Sequence, residues 1–144
     1  MEHLWQALQQ SGLAGHIRQS EFIYPAANVL HVVGVIAFYG LVAAMDLTLL
    51  ARSGGAAMSQ ALRPWAIGAL LLVAAAGFML FAADAVAVAA NPAFRLKLLL
   101  IMLAIINFAV HLCTSDAALQ RTTAVVSLLA WLAVAALGRY IAYI

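Results

Sequence analysis

Charged residues are scarce in this sequence. Only 8% of its 144 residues are charged and 67% are hydrophobic, whereas a soluble domain normally carries about a quarter charged residues. A chain of this length has too small an interior to remove so much apolar surface from water. The composition therefore excludes an ordinary soluble domain and predicts a single domain that lies in a lipid bilayer.

Cysteine and basic residues are also few. The single Cys113 excludes an internal disulfide and a metal site with several cysteines. The Lys and Arg residues, 7 in all, occur singly along the chain, so there is no basic stripe of the kind that binds nucleic acid. The N-terminus has no basic region, and the first apolar run is longer than the core of a signal peptide, so we expect no cleaved leader.

Long apolar runs, by contrast, dominate the sequence. The runs at about 24–50, 64–83, 92–113 and 123–144 each reach the roughly 20 residues that a transmembrane helix needs. Helix is the expected conformation because each segment must satisfy its own backbone hydrogen bonds in lipid. The more polar residues 1–22 set Leu and Trp against Gln, His and Arg, which predicts one or two short amphipathic helices in the membrane interface. We therefore divide the chain into this interfacial segment, 1–22, and a bundle, 23–144.

The segments between the runs predict short connections. We expect Arg52-Ser53-Gly54-Gly55 to close the first helix, Pro64 to begin the second, and Asn91-Pro92 to begin the third. Short connections make neighbouring helices antiparallel, which predicts an all-α four-helix bundle. Both ends of the bundle then lie at one membrane face, here called side A, and the opposite face is side B.

Basic residues do not fix the orientation of this bundle. Side A carries Arg18, Arg95, Lys97 and Arg139, and side B carries Arg52, Arg63 and Arg121. The difference is too small for the preference of basic residues for the cytoplasmic face to decide between the two orientations.

Polar side chains within the runs form two groups. The side A cluster is Tyr24, Asn28, His31, Asp84, Lys97 and Arg139, and the side B cluster is Asp46, Arg63, Asn107 and His111. Ionisable groups inside a membrane usually face the bundle interior and pair, so we expect Asp84 to pair with Lys97 or Arg139. The alternative is that these charged side chains extend to the membrane interface and form a salt bridge that is purely structural.

The two intramembrane histidines, His31 and His111, are the candidate cofactor or metal ligands. Either can serve as an axial ligand of haem b, with Arg139 or Lys97 near the propionates. At about 1.5 Å of rise per residue, their depths differ by roughly 10 to 20 Å, which argues against one shared iron. The possible second ligands are His3 or His16 for a side A haem and Met45 for a side B haem.

Copper is the other candidate, because His31, His111, Cys113, Met45 and Met79 are suitable donors. No two of them stand at a convincing ligand spacing. Each histidine can equally be a neutral imidazole that hydrogen-bonds a neighbouring helix. The sequence contains no HExxH, phosphate-binding loop, paired carboxylates or nucleophile–base pair, so an enzyme is the least supported class.

Five stretches are distinctive as a set: YPAANVLHVVG (24–34), MDLTLL (45–50), FAADAVAVAANPAFRLK (81–97), INFAVH (106–111) and GRYIAY (138–143). With them, the whole chain resembles a bacterial family of small four-span membrane proteins known only as a domain of unknown function. The matching positions are Tyr24, Pro25, His31, Asp46, Trp65, Asn91, Pro92, Phe94, Lys97, His111, Gly138, Arg139 and Tyr143. Thr48 stands where relatives often carry arginine, and Asn28 where they carry a carboxylate. The resemblance implies a bacterial inner-membrane protein and supplies no reaction.

Three functions remain open at this point. The first is a non-enzymatic membrane protein whose polar clusters assist or anchor a partner, either a second copy or another membrane protein. The second is a b-type haem electron-transfer protein with His31 or His111 as ligand. The third is a carrier of copper or a small solute that uses His31 and His111 in opposite halves of the membrane.

Overall fold

The computed structural model describes residues 2–51, 55–141 and 143, and every regular element within them is an α-helix. The helices are α1 Glu2–Gln9, α2 Gly12–Gln19, α3 Ile23–Leu50, α4 Gly55–Ala83, α5 Ala85–Ala90, α6 Pro92–Cys113 and α7 Ala117–Ile141. Four of them, α3, α4, α6 and α7, are long and apolar enough to cross a membrane. The fold is therefore all-α, and the chain is a multi-pass membrane protein.

The first and third long helices lie where the apolar runs predict them. The start of α6 has a local cause: the side-chain oxygen of Asn91 accepts a hydrogen bond from the backbone N–H of Ala93 at 2.9 Å, and Pro92 follows at the first helical position. Of the predicted closure of the first helix at Arg52-Ser53-Gly54-Gly55, residues 52–54 lie outside the described residues, and Gly55 begins α4 instead.

The second and fourth long helices begin earlier than their apolar runs predict. Helix α4 begins at Gly55 and contains Pro64, which is therefore not the helix start. Proline removes one backbone donor, and membrane helices tolerate that loss. Helix α7 begins at Ala117 because a carboxylate oxygen of Asp116 accepts the N–H of Ala118 at 2.7 Å and that of Leu119 at 3.3 Å.

The four long helices pack in the order α4–α3–α7–α6. Helix α3 lies along α4, α6 lies along α7, and α3 joins the two pairs by packing on α7. At the α3–α7 contact, the rings of Phe38 and Trp131 meet edge to face with centroids 4.6 Å apart. Among the described residues, no Cα atom of α4 comes within 8 Å of one in α6. The bundle is therefore loosely closed along the flank between α4 and α6.

The N-terminal helices pack against the side A end of the bundle. Helix α2 buries Ala14 and Ile17 and lies against α4 and α3, while α1 lies against α5. The guanidinium group of Arg18 donates to the carbonyl of Gln9 at 2.8 Å and to that of Ala83, the last residue of α4, at 2.9 Å. The bond to Ala83 satisfies a carbonyl that has no partner within the helix at the end of α4. The location of α1 and α2 in the membrane interface stays a prediction.

Candidate functional site

A cavity of about 110 Å³ lies among α3, α4, α6 and α7 in the side B half of the bundle. It is partly open, and the loosely closed flank between α4 and α6 borders it. We call it the side B cleft. Its lining residues are Phe38, Val42, Met45, Asp46, Ser59, Arg63, Ala66, Ile67, Leu70, Ile105, Asn107, Phe108, His111, Thr123, Ser127 and Trp131. All four residues of the side B cluster are thus brought to one cavity.

The side B cleft has a polar end and an apolar end. On α3 both Phe38 and Asp46 line it, and they lie about 12 Å apart along the helix axis. Because α3 runs from side A to side B, Asp46 is the one nearer the membrane surface. On α7, which runs the opposite way, Thr123 and Trp131 repeat this arrangement. The polar end therefore faces side B, and the apolar end reaches toward the bilayer centre.

The orientation of His111 is fixed by Thr123 on the neighbouring helix. The hydroxyl of Thr123 has one proton, and it donates that proton to the carbonyl of Gln120 at 2.9 Å. Nδ1 of His111 lies 2.8 Å from the same hydroxyl oxygen. With the hydroxyl proton on the carbonyl of Gln120, Nδ1 carries a proton and donates it. In a neutral imidazole this assigns the lone pair to Nε2. Asn107 reinforces the contact, since its side-chain nitrogen donates to the carbonyl of Thr123 at 2.9 Å.

Asp46 places an unsatisfied oxygen at the polar end of the cleft. Its Oδ2 atom is buried and has no hydrogen-bond partner in the described part of the chain. The hydroxyl of Ser127 on α7 lies beside the same carboxyl group. A buried polar atom without a partner is unfavourable by about 1–3 kcal/mol. A hydrogen-bond donor from a ligand or a water molecule at Asp46 Oδ2 would remove this penalty.

Arg63 contributes a positive charge to the same end. It is exposed, lines the cleft from α4, and lies within electrostatic range of His111 on α6. Asp46 and Arg63 carry opposite formal charges, so the polar end is close to neutral overall. Two residues that line the cleft, Asp46 and His111, thus each carry an acceptor atom, and Arg63 beside them carries a cationic donor.

His31 belongs to a separate contact in the side A half. Its Nδ1 donates to the carbonyl of Val73 on α4 at 2.9 Å, because a carbonyl can only accept. The ring lies over Gly77, where an added Cβ would stand 2.8 Å from the ring carbon Cε1. Glycine at 77 therefore makes room for His31.

The remaining side A residues do not form the compact cluster that the sequence predicts. Lys97 points its ammonium group at Gly138, 3.0 Å from where a Cβ would stand, and it lies within electrostatic range of His31. Arg139 donates to the hydroxyl of Tyr143 and lies over the ring of the same residue. Tyr24 and Asn28 are exposed on α3.

A second difference between the sequence prediction and the structure on side A concerns the pairing of Asp84 with Lys97 or Arg139. The chain leaves helical geometry at Asp84, with φ −142° and ψ 53°. The side chain therefore leaves the stripe of α4 that carries Gly77 and Phe81, and it is exposed. In the described structure, Arg139 bonds Tyr143 and Lys97 faces Gly138, so neither is brought to Asp84.

The two histidines occupy separate networks, one between α3 and α4 and the other between α6 and α7. Met45 and His111 do line one cavity, but its volume of about 110 Å³ is far below that of a haem. His3 and His16 are exposed on α1 and α2. Within the described residues, no three His, Cys, Asp or Glu side chains converge as metal donors. The geometry thus gives little support to a haem or copper centre.

The sequence interpretation missed several lining residues, including Ser59, Thr123, Ser127 and Trp131. The sequence feature that could have revealed three of them is their regular spacing. Thr123, Ser127 and Trp131 follow one another at intervals of four, which places them on one face of a helix. A search for polar residues at helical spacing, rather than for ionisable groups alone, would have found that face.

No protein-family model, curated protein or solved structure matches this chain.

Proposed function

We propose that this protein is a non-enzymatic membrane protein that binds a small amphipathic molecule in the side B cleft. The observation that carries the proposal is the convergence of Asp46, Arg63 and His111, from three different helices, on one partly open cavity. Polar groups within a membrane are costly and usually mark a site. A cavity with a few converging polar groups and an apolar remainder is the usual form of a small-molecule site.

The size of the cavity supports a ligand with a small head. A cavity of about 150 Å³ holds one benzene molecule, and the side B cleft measures about 110 Å³ and is partly open. The cleft is therefore somewhat smaller than a benzene-sized cavity, and a single six-membered ring is the largest head that its open side accommodates. A longer apolar tail would leave the cleft along the flank between α4 and α6, where the bundle is loosely closed.

The proposal places the protein in a bacterial inner membrane. Its support is the likeness of the five stretches quoted above to a bacterial family of four-span proteins. Expression of a tagged chain in a bacterium, followed by separation of inner and outer membranes, tests this location. Recovery in the outer-membrane fraction would contradict it.

Binding of a ring-sized probe tests the proposed function. Isothermal titration of 4-propylanisole into the protein in lipid nanodiscs should give saturable binding above that of empty nanodiscs. Ser127→Phe fills the cleft and should abolish the signal, whereas Ser115→Phe, on the exposed connection after α6, should leave it unchanged. Ala66→Leu, at a lining residue that is 5% exposed, is a second filling variant. Equal signals from filled and unfilled proteins would contradict the proposal.

A second candidate function is the assistance or anchoring of a membrane partner. Gly40 on α3 and Gly68 on α4 are exposed, and an added Cβ would meet nothing within 4 Å at either. Small exposed residues of this kind let another helix approach closely. If a second copy packs there, Gly40→Leu and Gly68→Leu should reduce chemical crosslinking between copies in native membranes, while Gly12→Leu on α2 should not. Unchanged crosslinking in both helix variants would count against self-association through these faces.

A further inference from the structure

The atoms at the polar end of the side B cleft select the chemistry of the head that binds there, provided that the proposed function holds. His111 presents an acceptor, because Thr123 fixes the proton on Nδ1 and leaves the lone pair on Nε2. Asp46 carries a second acceptor: its Oδ2 is buried in the wall of the cleft without a partner in the described part of the chain, and a head reaches it when the carboxyl group turns toward the cavity. A complementary head must therefore donate hydrogen bonds.

The charges of the cleft restrict the head further. A cationic head would satisfy both acceptors, but Arg63 lines the same cavity and would repel it. An anionic head would suit Arg63 but would be repelled by Asp46. A neutral head that carries hydroxyl groups avoids both penalties, since each hydroxyl donates one hydrogen bond and can also accept one from Arg63.

The shape and lining of the cleft favour an aromatic ring as the carrier of those hydroxyls. The volume of about 110 Å³ is nearer to one ring than to two, and the open side of the cleft provides the remaining space. The edge-to-face pair of Phe38 and Trp131 lies at the apolar end, and Phe108 also lines the cavity. Aromatic rings pack well on one another in this geometry.

We infer that the side B cleft binds an aromatic diol with an apolar tail, the chemistry of a membrane quinol, through hydroxyl donation to His111 Nε2 and Asp46 Oδ2. The inference concerns binding alone and assigns no electron transfer. It distinguishes the reduced from the oxidised form of one skeleton, because a quinone has carbonyl oxygens and no proton to donate.

Three probes with one skeleton test this selection. Propylhydroquinone has two hydroxyls, propyl-1,4-benzoquinone has two carbonyls, and 1,4-dimethoxy-2-propylbenzene has two ether oxygens. Each is titrated anaerobically into the full-length protein in lipid nanodiscs. We expect the hydroquinone to bind roughly tenfold tighter than either of the others, as one or two net hydrogen bonds would give.

Two variants test whether His111 and Asp46 cause the preference for the hydroquinone. His111→Phe keeps a ring but removes the acceptor, and Asp46→Leu removes the other. Each should reduce the ratio of hydroquinone to dimethoxybenzene affinity severalfold while leaving dimethoxybenzene binding in place. Thermal unfolding establishes that each variant is folded, and His111→Leu or Asp46→Val replaces a variant that is not.

The outcomes separate the inference from the proposed function. Equal affinity for all three probes, or tighter binding of the benzoquinone, overturns the inference and leaves ligand binding in the cleft intact. Binding of none of the three contradicts both. Binding of the dimethoxybenzene alone to wild-type protein overturns the donor selection, because it shows that apolar packing decides the affinity.

Discussion

His31 on α3 and Gly77 on α4 are fitted to one another. The imidazole carbon Cε1 lies 2.8 Å from the position that a Cβ at residue 77 would take, and Nδ1 donates to the carbonyl of Val73 one turn earlier. The missing side chain of Gly77 lets the ring reach the backbone of the neighbouring helix. A polar residue within the membrane is thus satisfied by a main-chain carbonyl rather than by another side chain.

Substitution Gly77→Ala should displace His31 and lower the free energy of unfolding by up to about 2.5 kcal/mol. Overpacking of a filled site is destabilising by about 1–3 kcal/mol, and the better helix propensity of alanine returns roughly 0.5–1 kcal/mol. Thermal unfolding in detergent measures the change. Gly68→Ala is the matched control, since a Cβ there meets open space. If the two alanine variants unfold at the same temperature, the close fit of His31 to Gly77 is contradicted.

Gly138→Ala should be milder than Gly77→Ala, although both glycines face a side chain from another helix. The atom nearest to the added Cβ is the ammonium nitrogen of Lys97 at 3.0 Å, which ends a flexible chain and can move aside. We expect a change below about 1 kcal/mol in the same unfolding measurement. A loss as large as that of Gly77→Ala would show that Lys97 is held rigidly.

Thr123→Val should destabilise the protein by about 1 kcal/mol, because it removes the partner of His111 Nδ1 and leaves a partly buried donor unsatisfied. Thr123 is 4% exposed. The control is Thr122→Val, since Thr122 is exposed and its hydroxyl donates to the carbonyl of Ala118 within its own helix. A double-mutant cycle with His111→Phe measures the coupling. Additive effects of the two substitutions would contradict a direct bond.

Arg18→Gln should loosen α1 and α2 without unfolding the long helices. The guanidinium joins the carbonyl of Gln9 to that of Ala83, and a hydrogen bond from a charged donor contributes about 1.5–3 kcal/mol at most. Hydrogen exchange followed by mass spectrometry should show faster exchange in residues 2–19 alone. Arg95→Gln, which loses only a bond to the carbonyl of Ala89, should leave those residues unchanged. Uniform exchange across all helices would contradict the tether.

The purified protein should lack a haem absorption band and should retain no stoichiometric copper, even after expression with added haem or copper. The physical reason is that His31 and His111 lie in separate networks and that the described residues hold no three converging donors of the usual types. Absorption spectra of oxidised and dithionite-reduced protein, with metal analysis on the same sample, measure this. A Soret band that His31→Ala or His111→Ala removes would contradict the account.

Much of the fold could be predicted from the sequence, because composition and helix length dominate in a membrane. The bounds of α3 and α6 follow from apolar runs with clear ends, and Asn91-Pro92 supplies the start of α6. The starts of α4 and α7 could not be read from hydropathy. Residues 55–63 and 117–122, which precede those runs, mix apolar and polar side chains and continue the helices, and a local cap at Asp116 decides where α7 begins.

The candidate site could be predicted only in part. Spacing brings Asp46, Arg63, Asn107 and His111 to one half of the bundle, but it does not say that α4 and α6 stay apart and leave a cavity. That gap depends on the packing order of four helices. On side A the break at Asp84 redirects a side chain that the helical spacing assigned to the interior.

The most direct test of the central claim is to locate a bound ring within the protein. A propylphenol that carries a photoreactive diazirine on its tail is irradiated with the protein in lipid nanodiscs, and labelled peptides are identified by mass spectrometry. Because the tail leaves the cleft between α4 and α6, the account predicts labels concentrated at 59–70 on α4 and 105–111 on α6, and lost in Ser127→Phe. Labels spread over the lipid-facing residues of all four long helices, and unchanged in Ser127→Phe, would contradict it.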